Sequence, residues 1–141
     1  MRQEIRRRLV AAAVEASGRA VAPYSGFHVG AALLTKAGGI VTGANVESAS
    51  YGLTCCAERV ALFKALTQGE RDFVAVAVVA RAPGGPMPCG ACRQLLAEYA
   101  PDAIVLVADV ARPETIRRFT VAKLLPEAFR KVPSQRGNKQ R

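Results

Sequence analysis

Phe73-Val74-Ala75-Val76-Ala77-Val78-Val79-Ala80 is an almost unbroken apolar run, rich in valine and too short for an ordinary helix. Such a run predicts a central strand covered on both faces. Beyond it, Pro83, Gly84, Gly85, Pro86 and Pro88 stop regular structure over Arg81 to Pro88, and a helix is predicted from about Gly90 to Tyr99, before Pro101. Ile104 to Ala108 reads as the next buried strand, and Val121 to Leu125 starts a last short helix that Pro126 interrupts. On the N-terminal side, Val60, Ala61, Leu62, Phe63, Ala65 and Leu66 cover most of a helix from about Cys55 to Gln68, which predicts that it is largely buried. Gly69 closes it. Phe27 to Thr35 and Ile40 to Ala44 form a β-hairpin across Lys36-Ala37-Gly38-Gly39. Ile5, Leu9, Ala12, Ala13 and Ala16 recur at helical spacing, predicting an amphipathic first helix with Arg6, Arg7 and Arg8 facing water. Strands alternating with helices around a covered sheet give an α/β fold, a layered α/β/α domain whose central sheet the hairpin makes mixed.

The chain has 141 residues, half of them apolar, enough for one well-formed core and too few for two ordinary domains. One domain over residues 1–129 is expected, followed by a basic, disordered tail over 130–141. The net charge is +9, but Arg130, Lys131, Arg136, Lys139 and Arg141 supply five of those charges with no acid among them. Charge concentrated in a short tail with Pro133, Ser134, Gly137 and Asn138 reads as a solvated end, so nucleic acid is an unlikely partner. No apolar run approaches the roughly 18 to 20 residues that cross a bilayer. Glu15 cuts the stretch after the arginines shorter than a secretory signal needs, and Glu4 and Glu15 count against an organellar address. A soluble, cytoplasmic protein is expected.

Four cysteines are present, and the placement of three carries the chemistry. Cys89 and Cys92 form a C-x-x-C at the entry to one helix, and Cys56 stands 33 residues earlier at the entry to another. Thiolates suit zinc, and a helix N-terminus stabilises them through its unpaired N–H groups and dipole. Three ligands rather than four favour a catalytic site, which keeps a coordination position for water. Cys55, adjacent to Cys56, points elsewhere and reads as a buried small residue, closure of a four-thiolate site being the alternative. Glu58 stands two residues from Cys56 in the first helical turn, where the dipole welcomes a carboxylate with or without catalysis.

The words around these residues sharpen the reading. Cys56-Ala57-Glu58-Arg59, followed by Pro88-Cys89-Gly90-Ala91-Cys92-Arg93-Gln94, resembles the cytidine deaminase family in its small form with three cysteine ligands. Pro23 to Leu34 is similar to that family's first loop and strand, Gly43 to Tyr51 to its nucleoside-binding segment, and Leu124-Leu125-Pro126 with Phe129 to its C-terminal motif. Two positions depart from the pattern: Ser48 replaces a frequent asparagine, and His28, read as a strand residue and not a ligand, stands where proline is common.

The resemblance implies a Zn²⁺ held by Cys56, Cys89 and Cys92, with water activated for attack on C4 of cytosine and Glu58 as the proton carrier. It also implies that Arg59 supports a ligating sulfur, that Asn45 and Glu47 bind ribose hydroxyls, that the Ala57 backbone meets the base edge, and that Phe27 contacts the nucleoside. Small deaminases of this kind are homotetramers with shared active sites, to which Ala49, Tyr51 and Phe129 are candidate contributors. Hydrolytic deamination of cytidine and deoxycytidine is the function implied. Its rivals are a structural zinc protein, a dithiol redox protein, and a deaminase of a nucleoside antibiotic or of a polynucleotide.

Overall fold

A computed structural model describes residues 1–129. The tail expected over 130–141 lies outside the described residues. The elements run α1 (Gln3–Ser17), β1 (Val29–Thr35), β2 (Ile40–Ala44), a 3-10 turn (Tyr51–Leu53), α2 (Ala57–Thr67), β3 (Phe73–Ala80), α3 (Gly90–Tyr99), β4 (Ile104–Asp109), β5 (Arg112–Thr120) and α4 (Val121–Leu124). Five strands form one sheet in the order β2-β1-β3-β4-β5. Only the β3–β4 pair is parallel; β1–β2, β1–β3 and β4–β5 are antiparallel. The sheet is mixed, as the sequence predicts, and β3 lies at its centre.

Alternation along the inner strands divides the core into two layers. Ala32 and Leu34 of β1, with Ala75, Ala77 and Val79 of β3, pack with Leu9, Val10 and Ala13 of α1. Ala31, Leu33, Val76 and Val78 point to the other face, against Ala57, Ala61, Leu62 and Ala65 of α2 and Leu96 and Ala97 of α3. This is the expected α/β/α layering. Small alanines on the α1 side let that helix lie close to the sheet: a Cβ on Gly30 would stand 1.9 Å from the Ala13 carbonyl oxygen.

Four expectations are corrected. β1 starts at Val29 and not at Phe27, so His28 is exposed one residue ahead of the strand. The Phe27 peptide bonds side chains instead of a neighbouring strand: its N–H donates to Ser25 Oγ and its carbonyl accepts from Asn45 Nδ2. α2 starts at Ala57 because Cys55 is committed to a short antiparallel bridge with Val46. One face of α2 is buried, but Phe63 on its outer face is 43% exposed. Cys55 is half-buried and not buried.

β5 carries no apolar alternation, since Arg112, Pro113, Glu114, Arg117 and Arg118 dominate it. It is an edge strand, where charges and proline discourage further pairing, and its ladder with β4 holds it.

Topology decides where the helices begin. β2 and β3 are both antiparallel to β1, so β2, β3 and β4 run the same way. The chain therefore leaves β2 toward α2, and β3 toward α3, at one edge of the sheet. That edge, at the carboxyl ends of the strands, is where layered α/β folds bind ligands.

Candidate active site

Cys56 is the N-cap of α2 and Cys89 the N-cap of α3, with Cys92 in the first turn of α3. Neither N-cap uses its side chain to cap its helix, so both thiols are free for other work. The Sγ atoms of Cys56 and Cys89 are 3.6 Å apart, those of Cys89 and Cys92 are 3.5 Å apart, and all three lie within 4.8 Å of one another. Three sulfurs bound to one tetrahedral zinc at about 2.3 Å would be separated by about 3.8 Å, so the donor set fits zinc in chemistry and spacing. Among the described residues this is the one cluster of its kind, and Cys55 is not part of it.

The three sulfurs do not share one environment. Hydrogen bonds from Cys92, and then from Arg59 and Cys89, bring the Cys56 thiol down to about 5 against the effect of its burial. Cys92 is raised, first by its bond to Cys56 and then by burial. The Arg59 guanidinium donates to Cys56 Sγ at 3.5 Å and to the Thr54 carbonyl at 3.1 Å, and the bond to Cys56 raises its own pKa.

Glu58 is buried in the first turn of α2. Burial pushes its carboxyl up to about 7; its own backbone N–H opposes this, the Cys56 thiolate adds to it, and Cys92 and Arg59 pull the other way. A carboxyl poised near neutrality beside a sulfur cluster can both take and give a proton.

The remaining predicted residues surround this edge. Asn45 is buried at the end of β2, its Oδ1 accepting from the Val29 N–H and its Nδ2 donating to the Phe27 carbonyl, both at 2.8 Å. Glu47 accepts from the backbone N–H groups of Tyr24 and Ser25. Ala57 is fully buried as the first residue of α2, where an N–H has no intrahelical acceptor. Phe27 is 42% exposed in the loop before β1. Ala49, Tyr51 and Phe129 lie exposed. The hydroxyl of Ser48 accepts from the Ser50 N–H within its own loop.

The profile of the family described as "Cytidine and deoxycytidylate deaminase zinc-binding region" matches residues 3–108. The chain belongs to the cytidine and deoxycytidylate deaminase family. A cytidine deaminase of Halalkalibacterium halodurans is 52% identical over 125 residues, covering 88% of this chain and 93% of that protein. One from Sporosarcina psychrophila is 47% identical over 124 residues, covering 88% and 90%. The crystal structure of cytidine deaminase from Burkholderia pseudomallei superposes with a TM-score of 0.83 at 47% identity, covering 86% of this chain and 97% of that one. This deaminase is therefore an enzyme, and the structural-zinc and dithiol-redox readings of its C-x-x-C fall away.

Two supports of the deaminase site escape sequence reasoning. Arg93 donates through Nε to the Pro88 carbonyl at 2.7 Å and through a terminal nitrogen to the Leu124 carbonyl at 2.9 Å, tying the loop before Cys89 to α4. Ser25 holds Glu47 and Phe27 together. Both residues sit inside the quoted motifs, but their partners are distant in sequence, so spacing gives no signal.

Proposed function

We propose that the chain catalyses hydrolytic deamination of cytidine and deoxycytidine to uridine and deoxyuridine, with release of ammonia, as a step of pyrimidine salvage. The convergence of three sulfurs from two helix starts, with a buried carboxyl two residues from one of them, is the observation that supports it.

Cys56, Cys89 and Cys92 would hold zinc, which when bound supplies a nucleophile by acidifying water. Glu58 would accept a proton from the attacking water and deliver it to N3 of the base as the C4–O bond forms, then carry the remaining hydroxyl proton to the amine as the C4–N bond breaks and ammonia leaves. Arg59 neutralises part of the negative charge of three thiolates, and the helix N-termini add to this. Asn45 and Glu47 receive the ribose hydroxyls, the Ala57 backbone the base edge, and the Phe27 ring the flat face of the nucleoside.

The active form is a homotetramer with shared sites, in which Ala49, Tyr51 and Phe129 serve a neighbouring subunit, and it works in the cytoplasm on free nucleosides. No described helix is long and apolar enough to cross a membrane. The test is ammonia release by the zinc-loaded protein across a panel of cytidine, deoxycytidine, cytosine-containing oligonucleotide and a cytosine nucleoside antibiotic. Turnover of the two nucleosides above the others is expected. Turnover of the oligonucleotide or the antibiotic alone overturns the substrate assignment.

A further inference from the structure

Glu47 reaches back to the loop before β1. Its Oε1 accepts from the N–H groups of Tyr24 and Ser25, each at 3.0 Å, and its Oε2 accepts from the Ser25 hydroxyl. The same hydroxyl oxygen accepts the Phe27 N–H at 2.9 Å. Gly26, between Ser25 and Phe27, has φ of 68°, a left-handed conformation that glycine adopts without strain and that turns the chain back so that one hydroxyl serves both partners. Asn45 holds the other side of the Phe27 residue through its carbonyl.

Counting the donors and acceptors shows what is left for a ligand. An ionised carboxylate offers about four acceptor sites, and three on Glu47 are filled. The site still open is on Oε2, the oxygen whose direction the Ser25 hydroxyl fixes. The hydroxyl bond, followed by the Ser25 N–H, also holds the Glu47 carboxyl below the usual carboxylate range, which keeps it an acceptor. One N–H of the Asn45 amide is spent on Phe27, leaving the second.

We propose that Ser25 is a positioning residue, whose hydroxyl couples the Glu47 carboxylate to the Phe27 peptide so that the sugar contact and the base contact are set as one unit. The inference rests on the ribose reading of Glu47 given above. Substrate affinity, and not proton transfer, is what the coupling governs.

The experiment compares Ser25→Ala, Ser25→Thr, Glu47→Gln and the Ser25→Ala/Glu47→Gln double variant, each as zinc-loaded full-length protein with melting temperature and metal content recorded. Ser25→Ala should raise KM for cytidine about tenfold with kcat little changed. Ser25→Thr, which keeps the hydroxyl, should restore it. The double variant should be no worse than Glu47→Gln alone, because Ser25 acts through Glu47. Additive penalties, or parental KM in Ser25→Ala beside an impaired Glu47→Gln, overturn the coupling while leaving the ribose reading intact. Parental behaviour of Glu47→Gln overturns both. Should Ser25→Ala not fold, Ser25→Cys, of similar size with a much weaker donor, takes its place in the same comparison.

Discussion

Glu58 sits where a carboxylate is least comfortable as a charge and most useful as a proton store. Replacing it by glutamine keeps shape and removes the titratable proton, so Glu58→Gln should lower kcat roughly 100- to 10,000-fold while zinc content stays at the parental level. The same burial has a consequence for the metal-free protein. Its pKa is raised from the ordinary 4.5 to about 7, so the folded state binds this proton more tightly than the unfolded one. That contribution to stability is fully present below 4.5 and is lost as pH rises through 7. Chemical denaturation of the metal-free forms should therefore show Glu58→Gln gaining on the parent between pH 4.5 and 7, by up to about 3 kcal/mol. A constant difference across that range would mean the carboxyl is not desolvated. The clustering of Cys56, Cys89 and Cys92 and the place of Glu58 beside them at a helix start are legible in the sequence, because the quoted motifs set both helix entries. Ser25 and Arg93 are not, because their bonds depend on which distant backbone groups the fold brings to them.

At the scale of elements, the site depends on how closely α2 approaches β2. A Cβ on Gly43 would stand 2.5 Å from the Ala61 nitrogen and 2.7 Å from the Ala57 carbonyl oxygen, both backbone atoms of α2. Gly43→Ala must push the start of that helix outward, carrying Cys56 and Glu58 with it. A loss of about 1–3 kcal/mol in stability is expected from such overpacking, together with weaker zinc retention on dialysis against a chelator. An unchanged melting temperature and metal content would show that α2 is free to shift. The buried strands were legible because continuous apolar runs such as Phe73 to Ala80 leave few alternatives. β5 was not, as an edge strand is held by its ladder and its side chains carry no pattern. The apolar run from Phe27 to Thr35 predicts a strand from its first residue, whereas the turn at Gly26 and the Asn45 amide take the Phe27 backbone out of the ladder.

The whole molecule leaves apolar side chains uncovered near the site: Tyr51 is 84% exposed, Leu53 74% and Phe129 63%. Phe63 on the outer face of α2 is 43% exposed, where the sequence predicts a largely buried helix. The homotetramer proposed above would cover such side chains, so sedimentation over a dilution series should show assembled protein, with activity falling as subunits separate. A fully active monomer would contradict the shared-site reading. The metal geometry itself can be read by zinc X-ray absorption on the purified protein. Three sulfurs at about 2.3 Å and one oxygen or nitrogen at about 2.0–2.2 Å are predicted, with one zinc per chain. Four sulfurs around the metal, or a chain that retains no zinc, would contradict a catalytic centre built on Cys56, Cys89 and Cys92.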